Sequence, residues 1–279
     1  MAEFFEDMRE HRRNIYASYD PEKGARKRRC VLTLVRDEAI FFPVWLRYYS
    51  RFFAPEDIYV LDHQTTDGST DGEGFVRIPV EHEDYDMLWM GRVVEEHQHS
   101  LFGSYDVVLV TDVDEIIAPN PEMGTLEDYI DRFDEEFVNC LGYEILHMHE
   151  TEPSFDPSRP VMRQRSHWFA NDGYDKPVLS SGPMRWVPGF HQRADGRFNP
   201  DPDFRLIHLH RVDLELCRLR HRMRSDMNWK QIDLDEGWSA HNLITEGVDF
   251  ERWFYTDSSS IGVDMVPELI PPTWKRLDV

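Results

Sequence analysis

Short apolar runs bounded by charged or turn residues recur along the first half of the chain. Cys30–Val35 (CVLTLV), Asp57–Leu61 (DIYVL), Phe75–Pro79 (FVRIP) and Val107–Val110 (VVLV) have this form, which predicts strands. Between them the period changes. Across Ala39–Phe53, Phe42, Trp45, Leu46 and Tyr49 share one helical face, and Pro43 falls in the first turn, where a missing amide donor is harmless. Met87–Leu101 predicts a second helix, with Gly91 and Arg92 near its start. The order β, α, β, loop, β, α, β is the alternation of a mostly parallel sheet flanked by helices, an α/β fold.

Further along, Thr125–Phe133 predicts a helix capped by Thr125, with Asp128 three residues on. Phe137–His149 reads as a strand or strand pair, and Phe204–His210 as a strand with Leu206, His208 and His210 on one face. Residues 151–203 hold many of the 17 prolines, with Trp168, Trp186 and several glycines, and predict long ordered loops around a pocket. From Leu214 to about Met227 the pattern is helical and charged, and an aromatic-rich tail follows.

The chain has 279 residues, 41% of them hydrophobic, enough to bury a full core. Its formal net charge of −22 repels nucleic acid and anionic membrane, so a polyanionic ligand needs a local basic pocket or a metal. Cys30, Cys140 and Cys217 are widely spaced and odd in number, which predicts reduced core thiols and a cytoplasmic setting. The first residues lack the apolar core of a signal peptide, and no stretch approaches the roughly 20 apolar residues that span a bilayer.

Candidate chemistry concentrates in Tyr105–Ile117, YDVVLVTDVDEII. The run Val107–Val110 reads as a strand buried on both faces, and it empties into Asp112, Asp114 and Glu115, at the end where open α/β sheets bind ligands. If the backbone stays extended, Asp112 and Asp114 lean the same way and can hold a hard divalent ion. A solvated acidic loop is the plainer reading of the same residues.

Four elements in order, VRDEA after the first strand, LDHQTTDGSTDG after the second, MGR at the helix and VTDVDEII after the fourth strand, resemble the family 2-type glycosyltransferases of the GT-A fold, in particular the bacterial branch with a DxDE motif. The likeness covers roughly residues 28–215. It implies a Rossmann-like GT-A catalytic domain over 30–215, with an N-terminal arm at 1–29 and a helical, aromatic extension at 216–279 packed on the same domain. It also implies a nucleotide-diphosphate-sugar donor, UDP-sugar favoured, with Mn or Mg as cation, and a glycan, lipid-linked or protein acceptor.

Carried over by position, the resemblance puts Val35, Arg36 and Glu38 in the nucleotide pocket, Asp62 on the base or ribose, and Arg92 and Lys176 near the diphosphate. Asp112 would meet ribose and metal, Asp114 the metal, and His208 or His210 would complete the metal site; two ordinary strand histidines are the alternative. Imidazole suits Mn better than Mg. Thr66 stands where the family has a serine, which leaves the base preference open. Glu150, near His147 and His149, is a candidate base, with Asp175 and Asp156 as rivals, and His191 could face the acceptor. Trp168, Trp186 and Trp238 could stack on a sugar, although tryptophans more often serve the core. A metal-dependent phosphoesterase or nucleotidyltransferase, or a non-catalytic nucleotide-sugar-binding protein, are the competing expectations.

Overall fold

The computed structural model describes residues 6, 9, 10, 12, 26–256, 265–277 and 279. Of the expected N-terminal arm, residues 6, 9, 10 and 12 are helical, and residues 13–25 lie outside the described residues. A ten-stranded mixed sheet organises the molecule. Four parallel strands form one half: β1 (Arg29–Val35) at the centre, β2 (Ile58–His63) and β3 (Val76–Val80) to one side, and β4 (Val107–Val110) to the other.

Because neighbouring residues of a strand point to opposite faces, β1 feeds two cores. Val31 and Val35 face helix α1 (Phe41–Tyr49), while Cys30 and Leu32 face helix α2 (Met87–Leu101). Each crossover helix therefore covers its own face of the sheet, as βαβ units require. Cys30, Cys140 and Cys217 are buried and unpaired.

The second half runs largely antiparallel. After β4 come β5 (Glu115–Pro119), helix α3 (Leu126–Arg132), β6 (Phe137–Leu146), the single turn α4 (Val161–Gln164), β7 (His167–Ala170), β8 (Pro177–Ser180) and β9 (Pro200–His208). The Thr125–Asp128 capping box starts α3 as the sequence predicts. Two features depart from the expectation. The 151–203 stretch contains more than loops: its β8 is fully buried and sits between β4 and β6. Pro177 is tolerated there because it opens the strand, at a register shift in β6. The segment after Asp114 is likewise a strand, β5, paired antiparallel with β9.

Helices α5 (Leu214–Ser225), α6 (Gln231–Glu236) and α7 (Gly247–Thr256) follow, and the two-residue β10 (Glu268–Leu269) pairs with β7. Phe250, Trp253 and Phe254 of α7 pack with Leu146, Phe169, Leu214 and Cys217 in a third core.

Helix α1 does more than cover the sheet, because its aromatic tips hold the chain on either side of Asp112 and Asp114. Trp45 Nε1 donates to Thr111 Oγ1 (2.8 Å), and Tyr48 OH donates to the Ile117 carbonyl (2.9 Å). Tyr49 OH donates to the Glu115 carbonyl (3.2 Å) and accepts from the Ile117 amide (3.0 Å). Tyr49→Phe removes both contacts and leaves buried backbone groups without these partners. The expected cost is ~1–3 kcal/mol, read as a fall in thermal midpoint; an unchanged midpoint would show that the hydroxyl does not fasten the β4–β5 turn.

Candidate active site

An open cleft of about 1020 Å³ lies at the C-terminal ends of β1, β2 and β4. Strand register assembles its floor. In the β5–β9 pair Glu115 stands opposite His208, and in the β6–β9 pair Glu144 does. The Leu209 amide donates to the Asp114 carbonyl (2.8 Å). One histidine is thereby set between carboxylates from two different strands.

The acidic stretch is a turn, contrary to the extended backbone supposed for it. The Glu115 amide donates to the Asp112 carbonyl (3.1 Å), and the Glu115 carboxylate accepts from the Asp112 amide (3.0 Å). The two aspartates consequently take different partners. Asp112, with its side chain 44% exposed, meets Lys176 Nζ at 2.7 Å, and Lys176 lies 2.6 Å from the buried Glu115. Burial favours neutral lysine, but the two carboxylates outweigh it and hold Lys176 charged, well above its ordinary range.

Asp114 points inward to a different set. Its Oδ2 accepts from Arg220 Nη1 (2.7 Å) and faces His208 Nε2 (3.5 Å) and His210 Nδ1 (3.8 Å). Burial raises its acid, yet Arg220 and His208 overcome that and keep it well below the usual carboxylate range. Arg220 also donates to Glu38 (2.6 Å), which Arg224 contacts from the next turn of α5 at 3.3 Å. On His208, burial opposes the charge, but Glu144 at 2.9 Å and Asp114 outweigh it and push the imidazolium up to about 10. His210 is pushed the other way by burial and stays neutral.

Asp114, His208 and His210 offer one oxygen and two nitrogens within 4.8 Å of one another. Such a set fits a divalent cation that accepts imidazole, Mn rather than Mg. Glu144 behind His208 suits this role, since a carboxylate on one ring nitrogen orients the other toward a metal. Asp112 stands outside the group, its Oδ2 engaged by Lys176.

Of the sequence candidates, Arg36, Glu38, Asp112, Asp114, Lys176, His191, His208 and His210 line this cleft. The others are placed elsewhere. Asp62 is buried under Arg77, whose Nε donates to it at 2.7 Å, and it accepts from the Thr65 amide (3.0 Å). Its neighbour His63 takes the place on the cleft wall. Val35 is a core residue whose carbonyl accepts from Thr65 Oγ1 (3.3 Å). Arg92 is exposed on α2, and Glu150 is exposed in the turn after β6. Asp175 accepts from the Gly142 amide (2.8 Å), and burial raises its acid to about 7, but it does not line the cleft. Asp156 holds the amide and hydroxyl of Ser158. Trp168 and Trp186 are core residues, and Trp238 is half-buried outside the lining.

His191 lines the cleft where Asp175 and Glu150 do not. Burial pushes its imidazolium down to about 3, and its Nδ1 is buried with no hydrogen-bond partner. It follows Gly189 and Phe190, both at positive φ (89° and 64°). A Cβ on Gly189 would stand 2.7 Å from the His191 ring, so the turn requires glycine there.

No protein-family model matches the sequence, and no curated protein matches it. Among solved structures, the mannosyltransferase PcManGT from Pyrobaculum calidifontis, in complex with GDP-Man and Mn2+, is similar at a TM-score of 0.40 and 15% identity, over 77% of this chain and 68% of that one. A likeness of this size assigns neither substrate nor activity. Among the described residues no helix is long and apolar enough to cross a membrane.

The proton on His208 has two measurable consequences. Its raised value stabilises the metal-free fold fully below the ordinary 6.5, and that stability is lost as pH rises through about 10. A metal on His208 Nε2 must displace the same proton. Uptake of Mn2+ at pH 8 should therefore release about one proton per ion, read by calorimetry in buffers of different ionisation enthalpy, with affinity rising toward pH 10. Proton-independent uptake would remove His208 from the ligand set.

Proposed function

We propose that this chain is a metal-dependent glycosyltransferase, taking a sugar from a nucleotide-diphosphate-sugar to a hydroxyl acceptor. One observation carries the reading: a buried Asp–His–His donor set opens into a cleft at the C-terminal ends of parallel strands, which Arg36 and Lys176 also line. In a protein of net charge −22, a diphosphate has little reason to approach any surface without such a set. Departure of a nucleoside diphosphate builds negative charge on its oxygens, and a divalent ion there, when bound, stabilises that charge.

The chain's own residues supply the rest. Asp114, His208 and His210 would hold the cation. Lys176, released from Asp112, would neutralise a phosphate oxygen, and the freed Asp112 would accept from a ribose hydroxyl or approach the metal. Arg36 and His63 wall the side toward the nucleoside. Since Asp62 is turned to Arg77, the choice of uracil over guanine has no residue behind it in the cleft.

His191 is the group we assign to the acceptor. Its Nδ1 has no hydrogen-bond partner among the described residues; burial and Lys176 make the ring a weak base, and a neighbouring diphosphate would offset both and raise its basicity toward that of a working general base. That arrangement suits a single displacement with inversion. A glycan or lipid-linked alcohol is the acceptor class we favour.

The test is a thermal-shift series with UDP-, GDP-, dTDP- and CMP-sugars, each with and without Mn2+. The cognate donor at about 100 times its Kd should stabilise the fold by about 2.7 kcal/mol, and only with metal. Asp114→Ala should abolish that shift and lower turnover by roughly 10²–10³-fold, as loss of one charge-stabilising partner does elsewhere. Turnover that survives both EDTA and Asp114→Ala would end the metal-dependent reading. Lys176→Met should raise KM for the donor more than it lowers kcat; an unchanged KM would take Lys176 off the diphosphate.

A further inference from the structure

Behind His210 the hydrogen bonds run in one direction. The Ile244 carbonyl lies 2.8 Å from His221 Nδ1, and a carbonyl only accepts, so that nitrogen carries a proton. His221 Nε2 lies 2.8 Å from His210 Nε2, and one proton must sit between them. Two contacts decide where the proton belongs. Arg220 Nη1, which only donates, stands 3.4 Å from His210 Nδ1, and His221, with its Nδ1 proton given to Ile244 and its charged form disfavoured by burial, is left with Nε2 to accept; both contacts favour a bare Nδ1 on His210. His210 therefore holds its proton on Nε2 and gives it to His221.

The two histidines reach this geometry from different elements. His210 follows β9, while His221 lies on α5 one turn after Cys217. His221 packs against Trp253 at 4.6 Å between ring centroids and against Phe250 at 5.3 Å, so its ring is gripped from α7. Of His210, His221 and Ile244, His210 alone lines the cleft.

We infer that His221 is a positioning residue for the cation site: with the Ile244 carbonyl it locks His210 in the tautomer that turns the Nδ1 lone pair toward Asp114. The inference rests on the metal reading above and adds to it the residue that keeps one ligand nitrogen ready. A histidine free to hold its proton on either nitrogen would offer a lone pair to the cation only part of the time. Support of this kind behind a ligating histidine is worth roughly 10–100-fold in metal affinity.

His210, Cys217 and His221 also come within 4.8 Å of one another, which gives the rival arrangement, a soft-metal site between the two rings. The hydrogen bond already joining the rings, and burial that pushes the Cys217 thiol well up from its ordinary range, weigh against it.

The experiment reads the tautomer first, in metal-free wild-type protein, by long-range 1H–15N spectra of the imidazoles. His210 should be protonated on Nε2 alone; a proton on Nδ1 overturns the inference. Mn2+ titrations followed by EPR then compare His221→Leu with His221→Gln, whose amide can both accept from His210 and donate to Ile244. The leucine variant should bind Mn2+ roughly 10–100-fold more weakly, and the glutamine variant should stay within a few-fold of wild type. A folded leucine variant with wild-type affinity overturns the inference. So does tight Co2+ uptake with a thiolate charge-transfer band, which would put metal on Cys217. Wild-type protein with the expected tautomer and no Mn2+ affinity would instead remove the metal reading itself, and the assigned role with it.

Discussion

The buried carboxylate of Asp114 is the constraint around which the cleft is built. A carboxylate in that position is costly unless charge and hydrogen bonds surround it. Here three carboxylates, Asp114, Glu38 and Glu144, interleave with three cations, Arg220, Arg224 and His208. They come from β6, from β9, from the loops after β1 and β4, and from α5, so the network ties the C-terminal helices to the sheet. Removing Arg220 takes a cation from both Glu38 and Asp114, and removing Asp114 takes a carboxylate from both Arg220 and His208. The arrangement is also poised for exchange, because Arg220 and the proton on His208 supply the positive charge that a divalent ion could share or replace.

That local balance explains how a strongly acidic protein can be asked to receive an anion. Lys176 is held charged between Asp112 and Glu115, and Arg36 lines the same cleft. Most of the excess acids lie outside the cleft, where they repel polyanions, while in the cleft Glu38, Asp112 and Asp114 are matched by Arg36, Lys176 and Arg224.

The sequence made the parallel half legible because its strands are uninterrupted apolar runs and its helices repeat at their own period. Asp114 was legible for the same reason, since the acids directly follow such a run. The other half hid itself. β8 offers only Pro177, Val178 and Leu179 between polar residues, too little for any period to register. Arg220, Arg224 and His221 fall in a stretch whose pattern is simply helical and charged, because the buried face of α5 is itself largely arginine, histidine and cysteine. Hydrophobic patterning cannot reveal a face whose interior is ionic. Asp62 sits at a strand tip as a ligand-binding residue would, and its pairing with Arg77 on the neighbouring strand becomes visible only once β2 and β3 are set side by side.

The turn carrying Gly189, Phe190 and His191 stands apart from the rigid floor beneath it. An aromatic residue held at φ 64° keeps conformational energy that the sheet must offset. Such a conformation persists only where its surroundings hold it, and here Phe190 packs on Trp186 and its amide donates to the Val187 carbonyl (3.1 Å). His191 is thus set by its own turn and Asp114, His208 and His210 by strand register, so two unrelated pieces of backbone determine where side chains stand around one cleft.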